Sequence, residues 1–201
     1  MGGRGASANG NRHFKFVGEG NSGADFSKQL LPALANNRIK AKTVEGAMQE
    51  FRERYKNADH EWAYVIDQKG YVYRYAEGGK HSVTPGLSRD HRSIERRSRE
   101  ELKDDHSRAE LTILHNHPSG SAFSKQDLKV TASNQRIKGV VASGKNYDYV
   151  FVKGTQFKGN AFEKMLNNAT LTGKDYSDAV DNWLKKNQSK YHYKYYRKKN
   201  N

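Results

Sequence analysis

One stretch constrains this chain more than any other. Leu111-Thr-Ile-Leu114 is a short apolar run that ends directly on His115-Asn-His117-Pro118. A run of that length followed by turn residues reads as a buried strand from Glu110 to His115. Side chains two apart on a strand project to one face, so the two imidazoles point the same way. Pro118 and Gly120 turn the chain, and Ser124 opens a helix reaching about Arg136, with Asp127 in its first turn. Two imidazoles and a carboxylate make three ligands and leave a fourth position for water, as expected of a catalytic zinc. Bland readings exist for each part: Ser-x-x-Asp before a helix is a capping box, and His-x-His recurs by chance. Joining both motifs through one tight turn after a strand favours the metal. The literal string His-Asn-His is no sign of the nuclease motif abbreviated by those letters, whose residues are spread over a hairpin and a helix.

Composition narrows the rest. With 201 residues, of which 34% are hydrophobic, the chain supports one modest core with tails, or at most two small domains. Lys+Arg 36 against Asp+Glu 22 gives +14, which suits anionic partners such as nucleic acid, an acidic protein face or a packed genome, or serves solubility alone. The absence of cysteine excludes disulfides and thiolate ligands, so any metal must use His and carboxylate. The glycine-rich start has no apolar run of the signal-peptide kind, and no segment approaches the roughly 20 apolar residues that cross a bilayer. The expected location is the cytoplasm of the cell that makes the protein.

Along the chain, residues 1–42 read as a mobile tail. Thr43 is an N-cap, and Val44, Ala47, Met48, Phe51 and Tyr55 follow at helical spacing. Glu61–Asp67 and Tyr71–Tyr75 form a hairpin around Gln68-Lys69-Gly70, with His81–Thr84 as an extension of the sheet. Ser88 to Arg108, anchored by Ile94 and Leu102, reads as a solvated helix. Gly139–Ser143 and Tyr147–Val152 form a second hairpin, and helices follow around Phe162–Leu166 and Tyr176–Lys186. The expected class is α/β, a mixed sheet flanked by helices.

The segment His115-Asn-His117-Pro118, a short loop, then Ser124-x-x-Asp127 resembles the signature of the JAMM (JAB/MPN+) metalloproteases. The likeness runs from about Thr43 to Lys153 and is closest in wording to bacterial, phage and mobile-element members. It implies a JAMM/MPN-like, cytidine-deaminase-like fold over residues 43–158. It implies zinc on His115, His117 and Asp127, Ser124 contacting the reacting oxygen, and a glutamate from an early strand as general acid–base. By order that glutamate is Glu61, with Glu77 as runner-up. Six residues, Pro118 to Phe123, separate His117 from Ser124; this is one fewer than is usual in the family, which bears on Ser124 rather than on the ligands. The implied activity is peptidase or isopeptidase action on a protein substrate, in a host cytoplasm or a virion. Two alternatives stand beside it: a nucleic-acid-associated module like the DNA-repair-linked relatives, which binds rather than cleaves, and a basic assembly protein with a structural metal. His81, His91 and His106 lack a partner at ligand spacing.

Residues 159–201 read as a helical, basic C-terminal extension. Lys185, Lys186, Lys190, Lys194, Arg197, Lys198 and Lys199 interleave there with tyrosines and with no acid after Trp183. That mixture suits sequence-tolerant nucleic-acid contact, or it is a solvated end.

Overall fold

The computed structural model describes residues 43–70, 72–83, 85, 110–172 and 175–200. The expected tail at 1–42 and the Arg-rich segment at 88–108, with His91 and His106, lie outside them. The elements are α1 (Val44–Tyr55), β1 (Trp62–Ile66), β2 (Val72–Glu77), β3 (Leu111–Asn116), α2 (Lys125–Ser133), β4 (Ile137–Ser143), β5 (Tyr147–Lys153), α3 (Gly159–Asn168), α4 (Tyr176–Tyr191) and β6 (Tyr193–Lys199). They form an α/β arrangement around one six-stranded mixed sheet in the order β2-β1-β3-β4-β5-β6. Only β3 and β4 run parallel, as α2 carries the chain across between them; the other pairs are antiparallel.

Both faces of the sheet are covered, which explains why β3 is buried along its whole length. Thr43 caps α1 by accepting from the Gly46 N–H at 3.0 Å, and Ala47, Met48, Phe51 and Tyr55 pack on Tyr64, Ile66, Leu114, Val141 and Val150. The opposite face carries Val65, Leu111, Ile113, Val140, Tyr149 and Phe151 against Leu128, Phe162, Val180 and Leu184 from the three later helices. His81 to Val83, expected to extend the sheet, contain no strand. Among the described residues no helix is long and apolar enough to cross a membrane.

The C-terminal strand corrects the reading of a helical end. Tyr193–Lys199 are a strand that pairs with β5 and forms the edge of the sheet. Tyr191, Tyr193 and Tyr195 are buried in the same core as α2, α3 and α4. Tyr193 and Tyr195 face the core while Lys194, Tyr196 and Lys198 face out, because a strand sends alternate side chains to opposite faces. Lysines on an exposed edge also discourage pairing with another chain.

Candidate metal centre

Strand β3 ends in two steps that place its histidines. Ala63 of β1 lies opposite His115, and His115 shares its face with Ile113 and Leu111. Two residues on, the His117 N–H donates to the Ser143 carbonyl at 2.8 Å, so the chain continues alongside β4. The turn then closes with the Gly120 N–H on the His117 carbonyl at 2.8 Å. Gly120 has φ 75°, a conformation that a side chain would strain.

The two imidazoles meet edge to face, with Nε2 atoms 2.9 Å apart. Asp127 Oδ2 lies 3.5 Å from His115 Nε2 and 3.6 Å from His117 Nε2. Ligands around a tetrahedral zinc, at bond lengths of about 2.0–2.1 Å, stand about 3.3 Å from one another. These three atoms therefore form a group able to hold a metal ion. Asp127 is also the N3 residue of a complete capping box on α2. Its Oδ2 accepts from the Ser124 N–H and the Ser124 hydroxyl, each at 2.7 Å, while the Asp127 N–H donates to Ser124 Oγ at 3.2 Å. Cap and ligand are thus not alternatives. The cap fixes the carboxylate that faces the histidines.

The chemistry of the donor set fits a cation. His117 Nδ1 donates to the Ser121 carbonyl at 2.9 Å, which leaves the lone pair of Nε2 turned inward. His115 Nδ1 is buried on the side of the Val141 backbone without closing a hydrogen bond. His117 Nε2 and the Asp127 carboxylate, gathered with His115 Nε2 within 3.6 Å of one another, are satisfied by a proton or a metal ion among them. The local field agrees. Burial would raise the Asp127 carboxyl, but the neighbouring histidines and the Ser124 hydroxyl hold it well below the usual carboxylate range. Burial and its cationic neighbour His115 push His117 down to about 4. Burial opposes charge on His115 as well, yet Asp127 and Glu61 beside it raise its pKa.

Glu61 stands immediately before β1 and is buried. It lies two residues before Ala63, which is registered with His115, and has His115 and Asp127 as its charged neighbours. Burial pushes its carboxyl up to about 7, with His115 lowering it and Asp127 raising it. Glu77 pairs with Trp62 and so lies on the other face of the sheet, where His60 and Asp59 are its charged neighbours. The structure therefore brings His115, His117, Asp127, Ser124 and Glu61 together and leaves Glu77 out. His81 is exposed and away from this group.

Four of the seven cations of the C-terminal segment are engaged within the chain. Lys185 pairs with Asp181, Arg197 with Asp178 and Lys198 with Glu45, while Lys190 lies over the Tyr191 ring. Lys186, Lys194 and Lys199 are exposed. The segment instead supports the metal centre. The Tyr176 hydroxyl donates to the Phe123 carbonyl at 2.9 Å, and the Ala122 N–H donates to Ser177 Oγ at 3.0 Å. The start of α4 thereby fixes the loop between the histidines and Asp127. Tyr176, Ser177, the Ser121 carbonyl and Asn116 all escape a reading by motif, since one is a backbone group and the others lie in apparent spacers or in a distant helix. No protein-family model matches the chain, and none of the curated proteins compared with it matches either.

Proposed function

We propose that His115, His117 and Asp127 hold a catalytic zinc ion and that the chain hydrolyses an amide bond of a protein substrate, as a JAMM-like peptidase or isopeptidase. One observation carries this reading. Three ligand atoms converge, two of them oriented by Ser121 and Ser124, beside a buried glutamate that titrates near neutrality. A bound zinc supplies Lewis acidity and makes water acidic enough to ionise near neutral pH. The carboxylate of Glu61 takes a proton from the attacking water and returns it to the leaving amine, work for which a pKa near 7 is well matched. The Ser124 N–H keeps Asp127 in place, so the Ser124 hydroxyl is free to turn toward a developing oxyanion. About one zinc per chain is expected by elemental analysis of the purified protein, and none in the H115A/H117A double variant. Equal metal content in the two would sink the assignment.

A second reading, contact with single-stranded nucleic acid, rests on the outer face of β6. Tyr196 is 48% exposed and stands on that face beside the exposed Lys194, with Lys198, paired to Glu45, on its other side. A ring for stacking beside an exposed cation suits a base and its phosphate.

A further inference from the structure

The strand pairing around the metal centre contains a local exchange of backbone for side chain. The β1–β3 ladder ends at Ala63 opposite His115. Past that point β3 turns to β4: Asn116 is registered with Ser143, and the His117 N–H is spent on the Ser143 carbonyl. The backbone at the start of β1 has lost its neighbour on this side. The side chain of Asn116, 4% exposed, takes its place. Its Oδ1 accepts from the Trp62 N–H at 2.6 Å, and its Nδ2 donates to the His60 carbonyl at 3.0 Å. Those two groups flank Glu61. On the other side the Glu61 N–H donates to the Gly79 carbonyl at 2.9 Å, and the Gly78 N–H donates to the Glu61 carbonyl at 2.7 Å.

The geometry points to Asn116 as the positioning residue for Glu61, clamping the backbone on both sides of it so that its carboxyl stays beside the histidines. The inference rests on Glu61 being the proton carrier proposed above. Three considerations favour it. Glu61 precedes the first strand residue, where an unclamped backbone frays. A buried carboxyl gains by escaping to water, so something must hold it in. The site also needs β3 to part from β1 there, and a short planar group with one donor and one acceptor bridges the gap while leaving room for the imidazoles. Asparagine supplies both; an ionised aspartate has no donor, and leucine has neither. The middle residue of the His115-Asn116-His117 motif is then a working part rather than a spacer.

Cobalt-loaded full-length protein tests this without a substrate, because the visible d–d bands of Co2+ respond to the groups around the ion. N116L is expected to bind cobalt in the wild-type ratio while shifting those bands in the same direction as E61Q. N116D keeps the acceptor for Trp62 and loses the donor to His60, so its shift should fall between wild type and N116L; it decides alone if N116L does not fold. With any substrate found, kcat of N116L should fall about 10–100-fold with little change in KM. A wild-type spectrum in N116L, or in N116D where that variant decides, with a shifted E61Q, overturns the role of Asn116 and leaves that of Glu61 standing. A wild-type spectrum in E61Q overturns the reading of Glu61 and the inference with it. Loss of cobalt in a folded N116L also overturns it, since Asn116 would then act through the ligands.

Discussion

Asp127 shows how one side chain serves stability and chemistry at once. The bonds from Ser124 that satisfy the first turn of α2 also aim Oδ2 at the imidazoles. Glu61 works through the opposite physics: little solvates its charge, and its carboxyl rises to about 7. It can accept a proton only as the carboxylate. Turnover should therefore climb with pH along a limb centred at or below about 7, since a bound cation favours the ionised form. E61Q should lose that limb and about 10²–10⁴-fold in rate while keeping its metal and its melting temperature. A pH–rate profile of both proteins checks this; near-normal turnover in E61Q would end the mechanism. The convergence of His115, His117 and Asp127 was legible in the sequence because a strand, a turn and a helix start impose fixed spacings on them. Glu61 was legible only through its order after α1. Asn116 was not, because its work depends on where β3 leaves β1, which no local spacing encodes.

At the scale of elements, the junction between α4 and β6 is the clearest departure from the sequence reading. Tyr191, Tyr193 and Tyr195 recur with period two, a strand signal, but lysines and an arginine dominate the segment and make it resemble a solvated end. Burial went to Tyr193 and Tyr195 on one face, and exposure to Lys194, Tyr196 and Lys198 on the other. Helix and strand meet at His192, which adopts φ 58° and ψ 56° as the left-handed cap of α4. A side chain there costs roughly 1–2 kcal/mol that glycine avoids, less the greater flexibility of glycine in the unfolded chain. H192G should thus leave stability unchanged or raise it by up to about 1 kcal/mol in urea unfolding, whereas H192V should lower it. A destabilised H192G would mean that the imidazole makes a contribution beyond the cap. Helices α1 to α4 and the two hairpins were legible because apolar periodicity and turn residues coincide in them. The burial of β3 was legible too, from the short run Leu111-Thr-Ile-Leu114 bounded by turn residues.

At the scale of the whole molecule, the C-terminal strand is tied to the centre. Deleting residues 193–201 would bare the edge of β5 and strip Tyr193 and Tyr195 from the core. The hydroxyls of these tyrosines also donate to the Leu184 carbonyl at 2.6 Å and to Asp181 at 2.8 Å on α4. Because α4 in turn holds the Phe123 carbonyl and the Ala122 N–H, such a truncation should cost the metal as well as the fold. It cannot serve as a test of nucleic-acid contact. Point changes on the exposed face of β6 can, because Lys194 and Tyr196 point away from the core. If that face meets single-stranded nucleic acid, K194Q removes one phosphate contact and Y196A removes one stacking platform. The salt dependence of log K should then become shallower by about 0.7 in K194Q. Y196A should weaken binding by about 1–3 kcal/mol with an unchanged slope, because stacking releases no counterions. Both variants should retain wild-type metal content, as neither residue touches the ligands. Fluorescence anisotropy with a labelled oligonucleotide across a salt series separates the two effects. Curves superimposable on wild type in both variants would rule out the β6 face, and the +14 charge would have to act through another surface.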